Sequence, residues 1–220
     1  MQDNFTKTYL FACPVYTIRI DPTSYDKEKI LKDIFYNKSL NNVRNDSEAT
    51  FDNCNIHHSY KDLDNEDFRS INYETLIPVY EKIFNEFFDN EIHKKKSFNY
   101  KFEIVNYSAI TEGQWLPPHS HLGAHDYATV HYLNFKDGHG FTRFINPANF
   151  APFVKWIQKK LYNNILDPLS PDNSYLWEHF WLPIKEDDMV IFPAALEHEI
   201  SVQGSTKEPR VTLSTNIEVL

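Results

Sequence analysis

Glycine and cysteine are both scarce in this sequence, with five glycines and two cysteines among 220 residues. Loops that cradle phosphate groups are rich in closely spaced glycines, so we do not expect a nucleotide site of that kind. The two cysteines, Cys13 and Cys54, are too few for a disulfide framework. Both are expected to stay reduced, which is typical of a protein inside a cell.

Long hydrophobic runs and an excess of basic charge are also lacking. No apolar stretch reaches the roughly 18 residues of a membrane-spanning helix, and the polar residues 1–7 do not resemble a secretion signal. The formal net charge is −9 at pH 7, whereas a nucleic-acid-binding surface needs clustered positive charge. We therefore predict a cytoplasmic protein that has neither a membrane nor a nucleic acid as its partner.

Large apolar side chains are plentiful. The chain contains 17 Phe, 13 Tyr and 4 Trp, and 41% of its residues are hydrophobic, which is enough to build one core of ordinary size. A single domain over residues 1–220 is therefore expected. Within it, we predict a strand and supporting helices over residues 1–97. Over residues 98–220 we predict a β-rich core that an insert at 146–186 interrupts.

The hydrophobic periodicity changes between these two parts. In the first part, a strand is predicted at 9–20, followed by a helix start with Asp21 as the cap and Pro22 in the first turn. A second helix is predicted at 73–88, with Pro78 near its start. In the second part the apolar residues alternate as in strands, which we place at 98–104, 127–135, 140–145, 188–192 and 210–219. Helices followed by strands indicate an α+β fold with an antiparallel β-core.

Two histidines near the middle of the chain are the strongest chemical signal. His119 and His121 lie two residues apart, so they share one face of a β-strand because side chains alternate across it. His198 can complete a three-ligand metal site if the chain folds back on itself, and Arg210 can hold an anion beside the metal. If His121 is not a ligand, Asp126 is the nearest carboxylate.

Four segments in a fixed order resemble a known family. They are PPHSH at 117–121, HYLN at 131–134, FPAALEH at 192–198 and RVT at 210–212. Together they resemble the Fe(II)- and 2-oxoglutarate-dependent oxygenases, in particular the prolyl-hydroxylase-like branch with its small bacterial and phage members. This resemblance implies a double-stranded β-helix, which is a jelly-roll, cupin-like core, with N-terminal supporting helices.

The resemblance also implies a metal centre. His119 and His198 match the first and third iron ligands of the family, and His121 stands where the family usually has a carboxylate. A neutral imidazole does not offset the ferrous charge. Three imidazoles still bind Fe(II), Zn(II) or Ni(II), and a dianionic co-substrate would supply the missing charge. No catalytic residue beyond the metal centre is expected.

A co-substrate site is implied as well. Arg210 matches the arginine that binds the distal carboxylate of 2-oxoglutarate, and its forked donors suit a carboxylate. Thr212 lies on the same strand face, Tyr132 matches a family tyrosine that reaches the co-substrate, and Tyr107 is a candidate for the site wall. His131, next to Tyr132, is expected to point away from the site.

The activity that the resemblance implies is a dioxygenase reaction that uses O2 and 2-oxoglutarate, hydroxylates a substrate, and releases succinate and CO2. Two alternatives stay open: a three-histidine cupin-type metalloenzyme that needs no 2-oxoglutarate, and a non-catalytic β-barrel binding module. The substrate, a small molecule or a peptide, and the oligomeric state are not predicted. Trp177 and Trp181 in the insert either shape the substrate pocket or pack the insert onto the barrel.

Overall fold

The computed structural model describes residues 13–40, 56–59, 66–92, 94–121, 123, 125–147, 165, 167, 170 and 179–220. Within these residues the chain forms ten β-strands, two α-helices and a short 3₁₀-helix. All of the strand pairings are antiparallel. This agrees with the α+β class and the antiparallel β-core that the sequence predicts.

The strands form two sheets. The larger sheet has six strands, which are, from edge to edge, β1 (Tyr16–Arg19), β8 (Asp188–Pro193), β5 (Tyr127–Asn134), β10 (Arg210–Val219), β3 (Tyr100–Ile110) and β2 (His57–His58). The smaller sheet has four strands, which are β4 (Leu116–His119), β9 (His198–Ile200), β6 (Thr142–Ile145) and β7 (His179–Trp181).

Several strands are predicted closely, whereas β3 begins two residues after the predicted start at 98 and extends six residues beyond the predicted end at 104. The prediction for β10 is confirmed at both ends, and those for β5, β6 and β8 within two residues. Strands β2, β7 and β9 are not predicted, because two or three residues are too few to show an alternating pattern. The strand that is predicted to carry His119 and His121 on one face is β4, but it ends at His119. Of the strand predicted at 9–20, residues 9–12 lie outside the described part of the chain.

Both helices begin later than the sequence predicts. Helix α1 spans Lys27–Ser39, because Pro22–Ser24 forms a separate 3₁₀ turn in which Asp21 Oδ1 accepts a hydrogen bond from the Thr23 backbone N–H over 2.9 Å. Helix α2 spans Ile77–Asn90, and Pro78 occupies its first turn, where a missing N–H is not needed. Among the described residues, neither helix combines the length and hydrophobicity that crossing a bilayer requires.

The helices pack on one face of the six-stranded sheet. The apolar residues of α2 recur every three or four positions and form a stripe that is buried against the sheet. Each such large side chain stabilises the fold by roughly 1.5–3 kcal/mol relative to an exposed one. This core includes Ile30, Ile34, Tyr80, Ile83, Phe84, Phe87, Phe88, Tyr107, Leu133, Val211, Leu213 and Ile217.

The other face of the six-stranded sheet contacts the four-stranded sheet. A second buried cluster joins β5 and β8 to β6 and includes Ala128, Val130, Tyr132, Phe144, Val190 and Phe192. Because side chains alternate along a strand, Leu213 of β10 contacts the helices, whereas Thr212 and Ser214 face the space between the sheets. The candidate site lies in that space.

Candidate functional site

Three histidines meet where β4 ends and β9 begins. His119 ends β4 and His198 begins β9, and the antiparallel pairing of these strands sets the two residues opposite each other. His121 lies two residues beyond β4, where its backbone N–H donates to the carbonyl of Ala194 over 2.9 Å. The ligand nitrogens of the three histidines lie within 4.8 Å of one another. The fold therefore brings together the three residues that the sequence predicts as metal ligands.

The backbone orients two of the three imidazoles. His119 Nδ1 donates to the carbonyl of Pro117 over 2.9 Å, and His198 Nδ1 donates to the carbonyl of Leu196 over 3.1 Å. A carbonyl oxygen only accepts hydrogen bonds, so Nδ1 carries the proton in both rings. Nε2 is then the nitrogen whose lone pair a metal would meet.

A side-chain amide orients the third imidazole. His121 Nδ1 lies 2.8 Å from Oδ1 of Asn216 on β10. Nε2 of His121 is buried and has no hydrogen-bond partner among the described residues. Folded proteins usually supply a partner for a buried polar atom, and a bound ion or an ordered water can be that partner. With two further imidazoles beside it, a metal ion is the ligand that fits.

Burial keeps the three imidazoles neutral. Loss of hydration lowers the pKa of His119 and the pKa of His121 below the usual value for histidine. The pKa of His198 is lowered to about 3, first by desolvation and then by the neighbouring His119. Neutral imidazole is the form that binds metals, so protons do not compete for these nitrogens at neutral pH.

The cluster contains no carboxylate. Among the described residues, the group of possible metal ligands consists of the three histidines alone. Asp126, the carboxylate nearest to His121 in the sequence, accepts a hydrogen bond at Oδ2 from the backbone N–H of Val219 over 2.8 Å. Three imidazoles fit a divalent first-row metal, ferrous iron included, but leave its charge for other ligands to offset.

A cavity of about 250 Å³ lies in front of the histidines, and the described residues that line it come from both sheets. Its apolar walls are Ile56, Leu116, Val130 and Ile200. Among the described residues that line it there is no carboxylate or ammonium group. His58 and His125, which are not among the predicted site residues, also line the cavity. A wider groove of about 640 Å³ between α2 and β3 contains none of the predicted site residues.

A fully buried arginine lies behind the part of the cavity wall that Thr142 and Thr212 form. The Arg210 side chain is 0% exposed, and its Nη2 donates to Oγ1 of Thr142 over 2.9 Å. Its Nη1 reaches Oγ1 of Thr212 at 3.5 Å, and the ring of Tyr132 lies 5.1 Å from the guanidinium carbon. Desolvation lowers the pKa of Arg210, but arginine stays charged in proteins.

No counter-ion for this buried guanidinium is found among the described residues. No carboxylate there lies within salt-bridge distance of Arg210, and its Nε has no hydrogen-bond partner. A buried charge is strongly unfavourable unless an opposite charge accompanies it. The arrangement therefore fits an anionic ligand that enters through the cavity.

Thr142 connects this arginine to the cavity. Its Oγ1 accepts hydrogen bonds from Oη of Tyr132 over 2.7 Å and from Nη2 of Arg210 over 2.9 Å, while Thr142 itself lines the cavity. With two bonds accepted, its hydroxyl hydrogen stays available for a ligand. The sequence does not identify Thr142 as a site residue. The alternating pattern of β6 could have indicated it, because that pattern places Thr142 and Phe144 on the buried face of the strand.

Tyr107, the predicted candidate for the site wall, is not among the described residues that line the cavity. Strand β3 pairs with β10 so that Tyr107 is opposite Leu213 and Ser108 is opposite Thr212. Tyr107 therefore faces the helices, where its hydroxyl contacts Nδ2 of Asn37 at 3.2 Å. Ser108 takes the place next to the cavity, with its Oγ 2.9 Å from Oγ1 of Thr212.

Two further expectations concern residues near the site. His131 faces the helices, as expected, and its Nδ1 lies 2.8 Å from Oη of Tyr80. Trp181 lies on β7 opposite Arg143, is 55% exposed and does not line the cavity, so a role for it in shaping the pocket is not supported. Trp177 lies outside the described residues.

Comparison with known proteins gives matches to structures only. No protein-family model matches this chain, and no curated protein matches its sequence. Among solved structures, a prolyl hydroxylase from Trichoplax adhaerens in complex with a hypoxia inducible factor oxygen degradation domain peptide fragment matches with a TM-score of 0.53 at 9% identity. That match covers 93% of this chain and 83% of the other.

Two further structures match less closely. The viral collagen prolyl hydroxylase of Paramecium Bursaria Chlorella virus-1 has a TM-score of 0.48 at 11% identity, over 92% of this chain and 94% of that one. An oxidoreductase of the 2OG-Fe(II) oxygenase family from Burkholderia pseudomallei has a TM-score of 0.38 at 11% identity, over 63% of this chain. The match spans 57% of the length of the Burkholderia protein.

The match to the Trichoplax structure shows the fold of this chain. It shares a β-rich fold of antiparallel sheets with that prolyl hydroxylase along most of the length of both chains. The resemblance that the sequence motifs predict is thus confirmed at the level of the fold.

Proposed function

We propose that the protein is an Fe(II)- and 2-oxoglutarate-dependent oxygenase that hydroxylates a substrate carbon. The observation that supports this best is the presence of two complementary features at one cavity. Three neutral histidines converge on it. A buried arginine, which has no counter-ion among the described residues, lies behind its wall. The first feature fits a divalent metal and the second fits a carboxylate, and 2-oxoglutarate can engage both.

The proposal includes the finer description of the fold. The two sheets would be the two halves of a double-stranded β-helix within a single domain over residues 1–220. Residues 1–97 would support it, and residues 98–220 would form it, with an insert at 146–186. The position of His119 and His198 on one sheet and of Arg210 on the other is consistent with this arrangement.

The residues at the site fit the groups that the proposal requires. His119, His121 and His198 would hold Fe(II), and Arg210 would bind the distal carboxylate of 2-oxoglutarate. When bound, iron, 2-oxoglutarate and O2 together supply the oxidising power that hydroxylates a C–H bond, with release of succinate and CO2. The protein supplies binding and orientation for this chemistry.

The side chains around the anion pocket would orient the co-substrate. Arg210 offers a forked pair of donors, which suits a carboxylate better than a lysine does. Thr142 and Thr212 add hydroxyl donors at the cavity wall, and Tyr132 holds Thr142 in place through its 2.7 Å hydrogen bond. The apolar wall residue Val130 limits the access of water to the reacting groups.

One alternative enzyme class has an observation in its favour. A three-histidine cupin-type metalloenzyme without 2-oxoglutarate would account for the lack of a carboxylate ligand in the cluster. It would leave Arg210 without an anionic partner, which argues against it. A non-catalytic β-barrel binding module would explain neither the group of three histidines nor the buried arginine.

A titration under anaerobic conditions separates these functions. Fe(II) is added to the metal-free protein, followed by 2-oxoglutarate, and visible absorption is recorded. The proposed function predicts a weak charge-transfer band that requires both additions, and succinate release when O2 is admitted. Metal binding without this band would favour the three-histidine alternative, and no metal binding would favour the non-catalytic module. The substrate, whether small molecule or peptide, and the cytoplasmic location stay predictions.

A further inference from the structure

Asn216 contacts the one candidate metal ligand that the backbone does not orient. His119 and His198 each use a backbone carbonyl two residues earlier in the chain. His121 instead uses Oδ1 of Asn216, which is 95 residues further along, over 2.8 Å. An amide oxygen only accepts, so it fixes the proton on Nδ1 of His121 and leaves the lone pair on Nε2. That Nε2 is buried and has no hydrogen-bond partner among the described residues.

Strand β10 carries both this amide and the anion-binding guanidinium. Alternate side chains share a strand face, so Asn216 lies on the same face as Ser214, Thr212 and Arg210. One strand therefore sets the orientation of a metal ligand and the position of the carboxylate partner. The metal centre and the anion pocket are linked through a single rigid element.

Among the described residues, the hydrogen-bond partners identified at the ring nitrogens of the three imidazoles carry no charge. They are two backbone carbonyls and one amide. Glu197 is the acidic side chain that acts on His119, and it is exposed to solvent, which screens its charge. A divalent cation at this centre would keep almost its full charge until an anion binds next to it, because Coulomb attraction is strong at contact distance in a buried site.

We propose that Asn216 is a positioning residue for the metal centre, and that its neutral amide makes metal binding depend on the 2-oxo acid. The inference rests on the proposed function. Binding linkage is reciprocal, so each ligand raises the affinity for the other by the same factor. A carboxylate at position 216 would still orient His121 but would itself offset the metal charge, and so would weaken this dependence.

The test is a metal titration that needs no turnover. Co(II) is titrated into the metal-free protein under anaerobic conditions, with and without 2-oxoglutarate, and its absorption spectrum reports binding and geometry. In the wild type, 2-oxoglutarate should raise Co(II) affinity on the order of tenfold or more. Asn216→Leu should weaken Co(II) binding about 10- to 100-fold without 2-oxoglutarate, as is typical when the partner of a ligand histidine is lost.

Two further variants complete the comparison. Ser214→Ala removes a polar group from the same strand face, where no hydrogen bond to a ligand histidine is made, and should bind Co(II) as the wild type does. Asn216→Asp should bind Co(II) more tightly than the wild type on its own and gain less from 2-oxoglutarate. If Asn216→Leu does not fold, the smaller Asn216→Ala takes its place.

The outcomes keep the two proposals apart. Wild-type Co(II) affinity in a folded Asn216→Leu or Asn216→Ala protein would show that Asn216 does not position His121. An equal gain from 2-oxoglutarate in the wild type and in Asn216→Asp would overturn the role of the neutral amide. A wild-type protein that binds neither Co(II) nor Fe(II) would instead overturn the proposed function itself.

Discussion

Arg210 and Thr142 are joined by a hydrogen bond of 2.9 Å, from Nη2 of the guanidinium to Oγ1 of the threonine. Tyr132 donates to the same oxygen over 2.7 Å. Because both bonds are accepted, the threonine hydroxyl has its hydrogen left to donate, and Thr142 lies at the cavity wall. A ligand in the cavity would therefore meet the donor hydroxyl of Thr142 and, behind it, the positive charge of Arg210.

The first prediction concerns this hydroxyl. Thr142→Val keeps the shape of the side chain but removes the oxygen, so we expect 2-oxoglutarate binding to weaken on the order of tenfold, since a hydrogen bond to a charged group contributes about 1.5–3 kcal/mol. Thr142→Ser keeps the hydroxyl and is the matched control, with affinity near that of the wild type. Calorimetric titration of the metal-loaded proteins measures both. Equal losses in the two variants would mean that the hydroxyl is not the group that matters.

The second prediction concerns the guanidinium. Arg210→Lys keeps the positive charge but loses the forked pair of donors, so 2-oxoglutarate should bind on the order of tenfold more weakly. Metal affinity measured without 2-oxoglutarate should barely change, because Arg210 is not among the clustered ligands. The same calorimetric titration applies. If Arg210→Lys binds 2-oxoglutarate as the wild type does, the carboxylate site lies elsewhere.

The third prediction concerns the metal ligands. His119→Ala or His198→Ala removes one of three converging nitrogens, and tight binding of Fe(II) or Co(II) should be lost. Equilibrium dialysis with metal analysis measures this. His131→Gln changes a histidine on the helix side of the sheet and should retain the metal. A crystal structure in which the bound metal lies far beyond the ligation distance of about 2.1 Å from all three imidazoles would refute the assignment.

The fourth prediction exchanges the unusual ligand. His121→Asp introduces the carboxylate that the related motif usually carries, and its negative charge should raise Fe(II) affinity on the order of tenfold. The amide of Asn216 can turn to donate its N–H to the new carboxylate, which would keep the side chain oriented. Competition titration with a chelator measures the change. Complete loss of iron binding would show that the geometry is suited to three imidazoles only.

The fifth prediction concerns stability at acidic pH. Desolvation, aided by the charge of Lys27, lowers the pKa of the buried His131 to about 3. Below about pH 6.5 the histidine binds a proton in the unfolded chain but not in the folded chain. The free energy of unfolding therefore falls as the pH falls towards 3, by up to about 1.4 kcal/mol per pH unit. His131→Gln keeps a polar partner for Tyr80 but cannot titrate.

Urea unfolding at pH 7, 6 and 5 measures this effect. The free energy of unfolding should fall less steeply with decreasing pH in His131→Gln than in the wild type. His198, whose pKa is also lowered to about 3, contributes equally to both proteins and does not affect the difference. Parallel pH profiles would indicate that His131 becomes protonated without unfolding.

The local patterns of the sequence were sufficient for strands β5, β8 and β10 and for the three histidines that cluster in the fold. Alternating apolar residues indicate β10 and β5, because a strand with one face in a core must alternate. The spacing of His119 and His121 and the ordered motifs around them pick out the candidate ligands. Arg210 follows from the same motifs, and His131 is placed on the opposite face by its neighbour Tyr132.

The tertiary structure alone decided which other side chains join them. Alternation says that Tyr107 and Ser108 face opposite sides, but only the register of β3 against β10 shows that Ser108 faces the cavity. In the same way, the contact of Arg210 with Thr142 joins residues 68 positions apart, and that of His121 with Asn216 joins residues 95 positions apart. Such pairs depend on how distant strands align, and a shift of one residue in register would turn each side chain to the other face. The sequence of a single strand carries no record of that alignment, so these partners are set by the packing of the two sheets.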